Sequence, residues 1–184
     1  RYIVGHAFND WNAESLVLAH VEKDVGAPVY SVQLGLWQRP CETEIRESGA
    51  RIECPPPWPT VLAHASTLRQ VLVNLISNAV KFVAAKTPQV RLRAEERPGG
   101  IVRVWVEDNG IGIPAEFQER VFHVFQRLHT TEYAGTGIGL AIVHKGIERM
   151  GGRAGVESAA RMGSRLWIEL PKAPATTIEL PPTK

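Results

Sequence analysis

The chain is poor in several things at once, and each shortage removes a class of explanation. Cysteine is nearly absent: Cys41 and Cys54 are the only two, and they form no CxxC pair. That fits reduced structural thiols of a cytoplasmic domain better than a metal site or redox pair. No apolar run approaches the roughly 18 residues of a membrane span, and no signal-peptide pattern is present. A formal charge of +2 across 184 residues is too mild to mark a nucleic-acid binder by itself. There is no internal repeat. The chain opens on Arg1 rather than Met, as a segment of a longer protein would.

What is present is an ordinary globular composition, 44% hydrophobic and 22% charged, enough for one well-buried domain. Leu16, Val17, Ala19 and Val21 suggest a short helix over 13–23, ended by Gly26-Ala27-Pro28. Leu34, Trp37, Cys41 and Ile45 recur at helical spacing over 31–48, with Pro40 expected to kink or split that helix. Residues 50–54 read as a strand, followed by the stiff connector Pro55 to Pro59. The clearest helix covers 66–83. Thr67 and Gln70 fit a capping box, while Leu68, Val71, Leu72, Leu75, Ile76 and Ala79 make a broad apolar face.

After Pro88 the period changes to two: Val90, Leu92 and Ala94 alternate with charged residues, as do Val102, Val104 and Val106, around a Pro98-Gly99-Gly100 turn. A short helix is expected near 115–121, and a strong one over 137–150 stopped by Gly151-Gly152. Strands follow at 153–157 and 165–170, and a Pro- and Thr-rich tail from Pro171 on is expected to be disordered. The architecture predicted is α/β: a two-layer sandwich, with a mixed, mostly antiparallel sheet and helices on one face.

Three stretches carry chemistry. In the 66–83 helix, Gln70, Asn74, Asn78 and Lys81 share one narrow stripe. A solvated face is the ordinary explanation, but asparagine costs roughly 0.5 kcal/mol relative to alanine in a helix, and water-facing positions usually carry Glu, Lys or Arg. Asn74, Ser77 and Asn78 therefore look retained for their side chains. An amide oxygen could complete an Mg²⁺ shell otherwise made of water and phosphate oxygens. The second stretch is Asp108-Asn109-Gly110-Ile111-Gly112-Ile113, where a strand-end carboxylate can accept from a ligand amine and glycines allow sharp turning. A calcium loop is excluded because Gly110 and Gly112 stand where oxygen ligands are needed. The third is Gly135-Thr136-Gly137-Ile138-Gly139-Leu140, which flows into a helix and makes an anion site at its N-terminus. It is neither a P-loop nor a dinucleotide fingerprint, and protein-kinase signatures are missing.

In combination and order these stretches resemble the ATP-binding catalytic domain of sensor histidine kinases, of the Bergerat-fold superfamily shared with gyrase and mismatch-repair ATPases. The resemblance runs over about 16–171, with Gln70 to Phe82 as the N box, Asp108 to Gly112 as the G1 box, Phe122 to Arg127 as the F box and Gly135 to Leu140 as the G2 box. It implies Mg²⁺ on Asn78, with Asn74 and Lys81 near the phosphates and Phe82 lining the adenine pocket. Asp108 would read the adenine amine, with Gly110 and Gly112 shaping its turn. Residues 114–134 would be a lid over ATP, anchored by Phe122 and Phe125, with Arg127 as a phosphate contact. Gly135, Thr136, Gly137, Ile138, Gly139 and Leu140 would cradle the phosphates. Asn74, Lys81 and Arg127 would be the residues nearest the transfer. Residues 125–133 look most like kinases of the phytochrome-linked kind.

The same resemblance implies a division of the chain: 1–28 as the end of an upstream helical dimerisation segment and linker, 29–171 as the catalytic domain, and 172–184 as the tail. It implies as partners a helical phosphoacceptor domain and a response regulator receiver domain, and a homodimer in the full-length protein, with no nucleic acid and no membrane contact. The chain departs from the pattern in three ways. Asn74 stands where hydrolytic members carry a glutamate base; the last glycine motif is thin at Arg161-Met162-Gly163-Ser164; and none of the six histidines lies in a phosphoacceptor motif. A hydrolytic or switch ATPase, and an adaptor that binds no nucleotide, stand as the alternatives. Arg91, Arg93, Arg103, Trp105, Arg165 and Trp167 could form a nucleic-acid platform, but Glu95, Glu107 and Glu169 on the same face favour cross-strand ion pairs.

Overall fold

The computed structural model describes residues 18–21, 29–32, 38–55, 58–83, 87–125 and 136–173. Strands β1 (Leu18–Val21) and β2 (Val29–Val32) pair antiparallel as a separate hairpin. The helix expected over 13–23 is thus a strand in its described part. A single short apolar run has no period long enough to separate the two, and here cross-strand pairing with Val29–Val32 decides. Helix α1 (Gln38–Ser48) also starts later than expected. Pro40 falls in its first turn, where the N–H has no intrahelical partner, so the proline is accommodated rather than breaking the helix.

The main sheet has five strands in the order β3 (Arg51–Glu53), β4 (Gln89–Arg97), β5 (Ile101–Asp108), β7 (Ser164–Pro171), β6 (Arg153–Ser158). Only the β3–β4 pair is parallel, so the sheet is mixed and mostly antiparallel, as the pattern predicted. The period-two residues do what the period requires. Val90, Leu92, Val102, Val106, Leu166, Ile168 and Leu170 are buried beneath α2 (Ala65–Lys81), whose Val71, Leu72, Leu75 and Ile76 meet them. Burying each such side chain is worth about 1.5–3 kcal/mol.

The capping box predicted for α2 is not formed. The helix begins before Thr67, its N-cap is His64, and the Ser66 and Thr67 hydroxyls instead lie 3.0 and 3.4 Å from His64 Nδ1. Ser77 is turned toward α1, where its hydroxyl donates to Glu44 Oε1 at 3.0 Å, so it serves packing rather than a ligand. Helix α4 (Gly139–Arg149) lies alongside α2, with Val143 and Ile147 in the core. Gly146 permits the approach: a β-carbon there would sit 2.9 Å from Val71 Cγ2. A short helix α3 (Ala115–Gln118) follows the turn after β5. Among the described residues no helix is long and apolar enough to cross a membrane. Order continues past β7 to Lys172 and Ala173, which bond to Gly100 and Thr60, two residues into the stretch expected to be tail. The remainder of that tail, 174–184, lies outside the described residues.

The sheet face opposite the helices is covered by its own side chains. Trp105 is only 4% exposed. Arg93 and Arg103 stack on it at 4.6 and 5.3 Å, and Arg103 also lies 4.2 Å from the Trp167 ring centroid. The guanidiniums are paired: Arg103 with the buried Glu169 at 2.6 Å, Arg93 with Glu107 at 2.9 Å, Arg165 with Glu157 at 2.6 Å. The expected cross-strand ion pairs are therefore present, and the central indole lies under cations rather than open for stacking.

Candidate nucleotide site

The close α2–α4 packing brings two of the predicted stretches together. A β-carbon on Gly139, the first residue of α4, would lie 3.0 Å from Asn74 Oδ1 and 3.7 Å from Asn78 Nδ2. Glycine at the helix start thus lets the free N–H groups of α4 sit directly over the asparagine stripe. Asn74 Nδ2 donates to Gln70 O at 2.8 Å, which fixes its amide and leaves Oδ1 facing Gly139. Asn78 is half-buried and its side-chain amide bonds to no described residue. Lys81 makes no ion pair among the described residues and rests 5.4 Å over the Phe82 ring.

The second half of the site is the turn after β5. Gly110 N–H and Ser164 N–H both donate to Asp108 Oδ1, at 2.8 and 3.1 Å. Oδ2 receives no bond from the described residues, so one carboxylate oxygen is saturated by backbone and the other is open. Burial raises the Asp108 carboxyl from 3.8 to about 6, against the lowering effect of those two N–H bonds. Ile111 N–H donates to Phe82 O at 2.9 Å, stitching this turn to the end of α2. Gly110 is obligatory there, since a β-carbon would lie 2.4 Å from Phe82 O. Gly112, at φ +73, would drive one into the carbonyl oxygen of Ala159.

Of the expected lid, 114–125 is described. Phe122 is half-buried and its ring lies 5.7 Å from that of His144 on α4. Phe125 is 75% exposed, at φ +63, and its N–H donates to Gly137 O at 3.0 Å. Thr136 is exposed, Gly137 holds φ +70, Ile138 is the N-cap of α4, and Leu140 packs against the core. Arg127 and Gly135 lie outside the described residues. Neither Ser158 nor Gln118 carried a motif, and the thin 161–164 stretch concealed what Gly163 and Ser164 do. Gly163 N–H donates to Gly110 O at 3.1 Å, and Arg161 N–H donates to Ile111 O at 2.6 Å.

The family described as histidine kinase-, DNA gyrase B-, and HSP90-like ATPase matches residues 63–174. The chain belongs to this ATPase family. The chain is 45% identical over 131 residues to cyanobacterial phytochrome A of a Nostoc species, which covers 69% of this chain and 16% of that protein. It is 46% identical over 114 residues to the sensor histidine kinase AruS of Pseudomonas aeruginosa, covering 59% and 11%. Among solved structures, full-length ShkA in complex with AMPPNP superposes with a TM-score of 0.69 at 34% identity, over 83% of this chain and 33% of that one. A mycobacterial sensor histidine kinase, MprB, gives 0.65 at 27% identity, over 76% and 93%. The ATPase domain is therefore of the kind that sensor histidine kinases and phytochromes carry, with the fold of histidine kinase catalytic domains. It spans only a small part of the length of those curated relatives.

The residues fit a magnesium nucleotide. Among the described residues no cluster of His, Cys, Asp or Glu is gathered for a metal ion. A cation here would instead be held by the Asn78 amide, which has no partner among the described residues, together with phosphate and water oxygens. The Gly139 cradle, the helix N-terminus and Lys81, which has no ion pair among the described residues, would complement phosphate.

Proposed function

We propose that this chain binds Mg·ATP and presents the γ-phosphate to a histidine of a helical dimerisation domain, as the catalytic domain of a two-component sensor kinase. The observation that carries this reading is the placement of the Asn74–Asn78 pair beneath the N-terminus of α4. Asn78 would hold Mg²⁺, Lys81 and the α4 N–H groups would neutralise phosphate charge, and the open oxygen of Asp108 would accept from the adenine amine. Arg127 would reach the phosphates, and Phe82, Phe122 and Phe125 would border the nucleotide. Catalysis here is positioning and charge neutralisation, with no covalent work by the domain.

Asn74 favours transfer over hydrolysis. Its neutral amide, already donating to Gln70 O, cannot take a proton from water. The acceptor histidine, the response regulator that receives the phosphate, dimerisation of the full-length protein and a cytoplasmic setting belong to the same proposal. Calorimetric titration tests it. Wild-type protein should bind Mg·ATP with micromolar to sub-millimolar affinity, and Asn78→Asp should weaken the magnesium complex at least about tenfold by placing an anion beside the phosphates. No heat of binding would point to an adaptor, and brisk turnover without an acceptor domain to a hydrolytic ATPase.

A further inference from the structure

The loop joining β6 to β7 does more than connect strands. Ser158, the last residue of β6, accepts a hydrogen bond from Ile113 N–H at 2.8 Å and donates through its hydroxyl to Gly163 O at 2.8 Å. Gln118 Nε2, on α3, donates to Ser158 O at 2.6 Å and to Ile113 O at 3.1 Å. These side chains clasp the turn after β5 and the α3 helix that follows it to the 159–164 loop, 40 and more positions along the chain. What the clasp holds in register is the pair of backbone donors on Asp108. Gly163, one residue before the donor Ser164, is pressed so closely on Asp108 that a β-carbon would lie 2.0 Å from the Asp108 carbonyl oxygen. If the loop shifted, the Ser164 N–H would leave Oδ1, and the carboxylate could turn to offer either oxygen to the loop.

We propose that Ser158 is a positioning residue for base recognition, with Gln118 as its brace. By clamping the 159–164 loop on the turn after β5, it keeps both backbone N–H groups on Oδ1, so that Oδ2 alone faces the base as a pure acceptor. An acceptor at that point favours a purine with a 6-amino group over one with a 6-oxo group. The proposal rests on the reading of Asp108 as the adenine contact, and its consequence is selectivity rather than phosphate binding.

The experiment compares calorimetric affinities of wild type, Asp108→Asn, Ser158→Ala, Ser158→Thr and Gln118→Met for Mg·ATP, Mg·ITP and magnesium tripolyphosphate. The expected result is an ATP-over-ITP preference that falls at least about fivefold in Ser158→Ala, as loss of an oriented charge-assisted hydrogen bond would give. Tripolyphosphate affinity should stay constant, Thr should restore the preference through its hydroxyl, and Gln118→Met should show a smaller loss of the same kind. If wild type binds ATP and ITP alike, or Asp108→Asn leaves the preference intact, the Asp108 reading fails and the proposal with it. If Asp108→Asn abolishes the preference but Ser158→Ala retains it, only the role of Ser158 is overturned. An Ala defect that extends to tripolyphosphate, or that Thr does not repair, assigns the effect to packing and also overturns it. Should Ser158→Ala not fold, the Gln118→Met preference decides in the same way.

Discussion

Asp108 offers a perturbation whose sign can be worked out in advance. Its carboxyl is raised from 3.8 to about 6, chiefly by burial, so the folded state holds this proton more tightly than the unfolded chain. The contribution to stability is then fully present below the unfolded value and is lost as pH rises through about 6. A shift of about two units corresponds to a ceiling of about 3 kcal/mol, and the partial exposure of the side chain reduces this to about 1–2 kcal/mol. Above neutral pH the domain therefore carries a destabilising, half-buried charge. Asp108→Asn removes that charge but keeps an amide oxygen to accept from Gly110 and Ser164. Denaturant unfolding at pH 8 should find the Asn variant more stable by about 1–2 kcal/mol, or a few degrees in Tm for a domain of this size. At pH 5 roughly half of the difference should remain, because the folded carboxyl is by then mostly protonated while that of the unfolded chain is still mostly ionised, and the gap should close only below the unfolded value of 3.8. ATP affinity should move the opposite way, since the amide can present a donor toward the adenine amine. An Asn variant less stable than wild type at pH 8, or a gap unchanged between pH 5 and 8, would refute the reasoning.

Arg161 sits at φ +65, where a side chain costs about 1 kcal/mol, and Arg161→Gly should recover about that much in denaturant unfolding. Gly146→Val should wedge α4 away from Val71, destabilise the domain by about 1–3 kcal/mol, and weaken ATP binding although the site lies two turns along the helix. A normal ATP affinity in the folded variant would disconnect the packing from the site. Gly155→Ala would put a β-carbon 2.1 Å from Trp167 Cζ2, so the indole must leave its place beside Arg103. Tryptophan fluorescence should change and stability fall by about 2 kcal/mol, with ATP affinity unaltered because the indole lies on the opposite sheet face.

Much of the fold could be read from period alone. The alternation at 89–97 and 101–108 and the apolar face of α2 place those elements to within a residue or two, because each is long enough to show its repeat. The glycines at 110, 112 and 139 were legible for a related reason: each stands where backbone or an amide approaches within contact distance. Most of what escaped depends on partners distant along the chain. A run as short as Leu18–Val21 has no diagnostic period, and only pairing with Val29–Val32 makes it a strand. The Thr67–Gln70 spacing satisfied a capping pattern, yet the helix begins earlier and Thr67 turns to His64. Ser158 and Gln118 are ordinary polar residues until folding brings Ser158 to Ile113 across 45 positions and to Gln118 across 40, and no local pattern encodes that meeting.

The groups brought together at the site are each unfavourable on their own. Asp108 is desolvated, the Asn78 amide has no partner among the described residues, and the first N–H groups of α4 are free of intrahelical bonds. They also differ in what they lack: an amine for the open carboxylate oxygen, oxygen-bound cation for the amide, and anion for the helix start. On the proposed reading one ligand meets all three needs at once, because Mg·ATP carries an exocyclic amine at one end and a cation–polyanion pair at the other. Its binding at a hundredfold excess over Kd would stabilise the domain by about 2.7 kcal/mol, comparable to the ceiling set by the Asp108 charge. A domain so arranged is most stable when loaded, and a site that is destabilising when vacant is a reason for these residues to be where they are that packing alone does not supply.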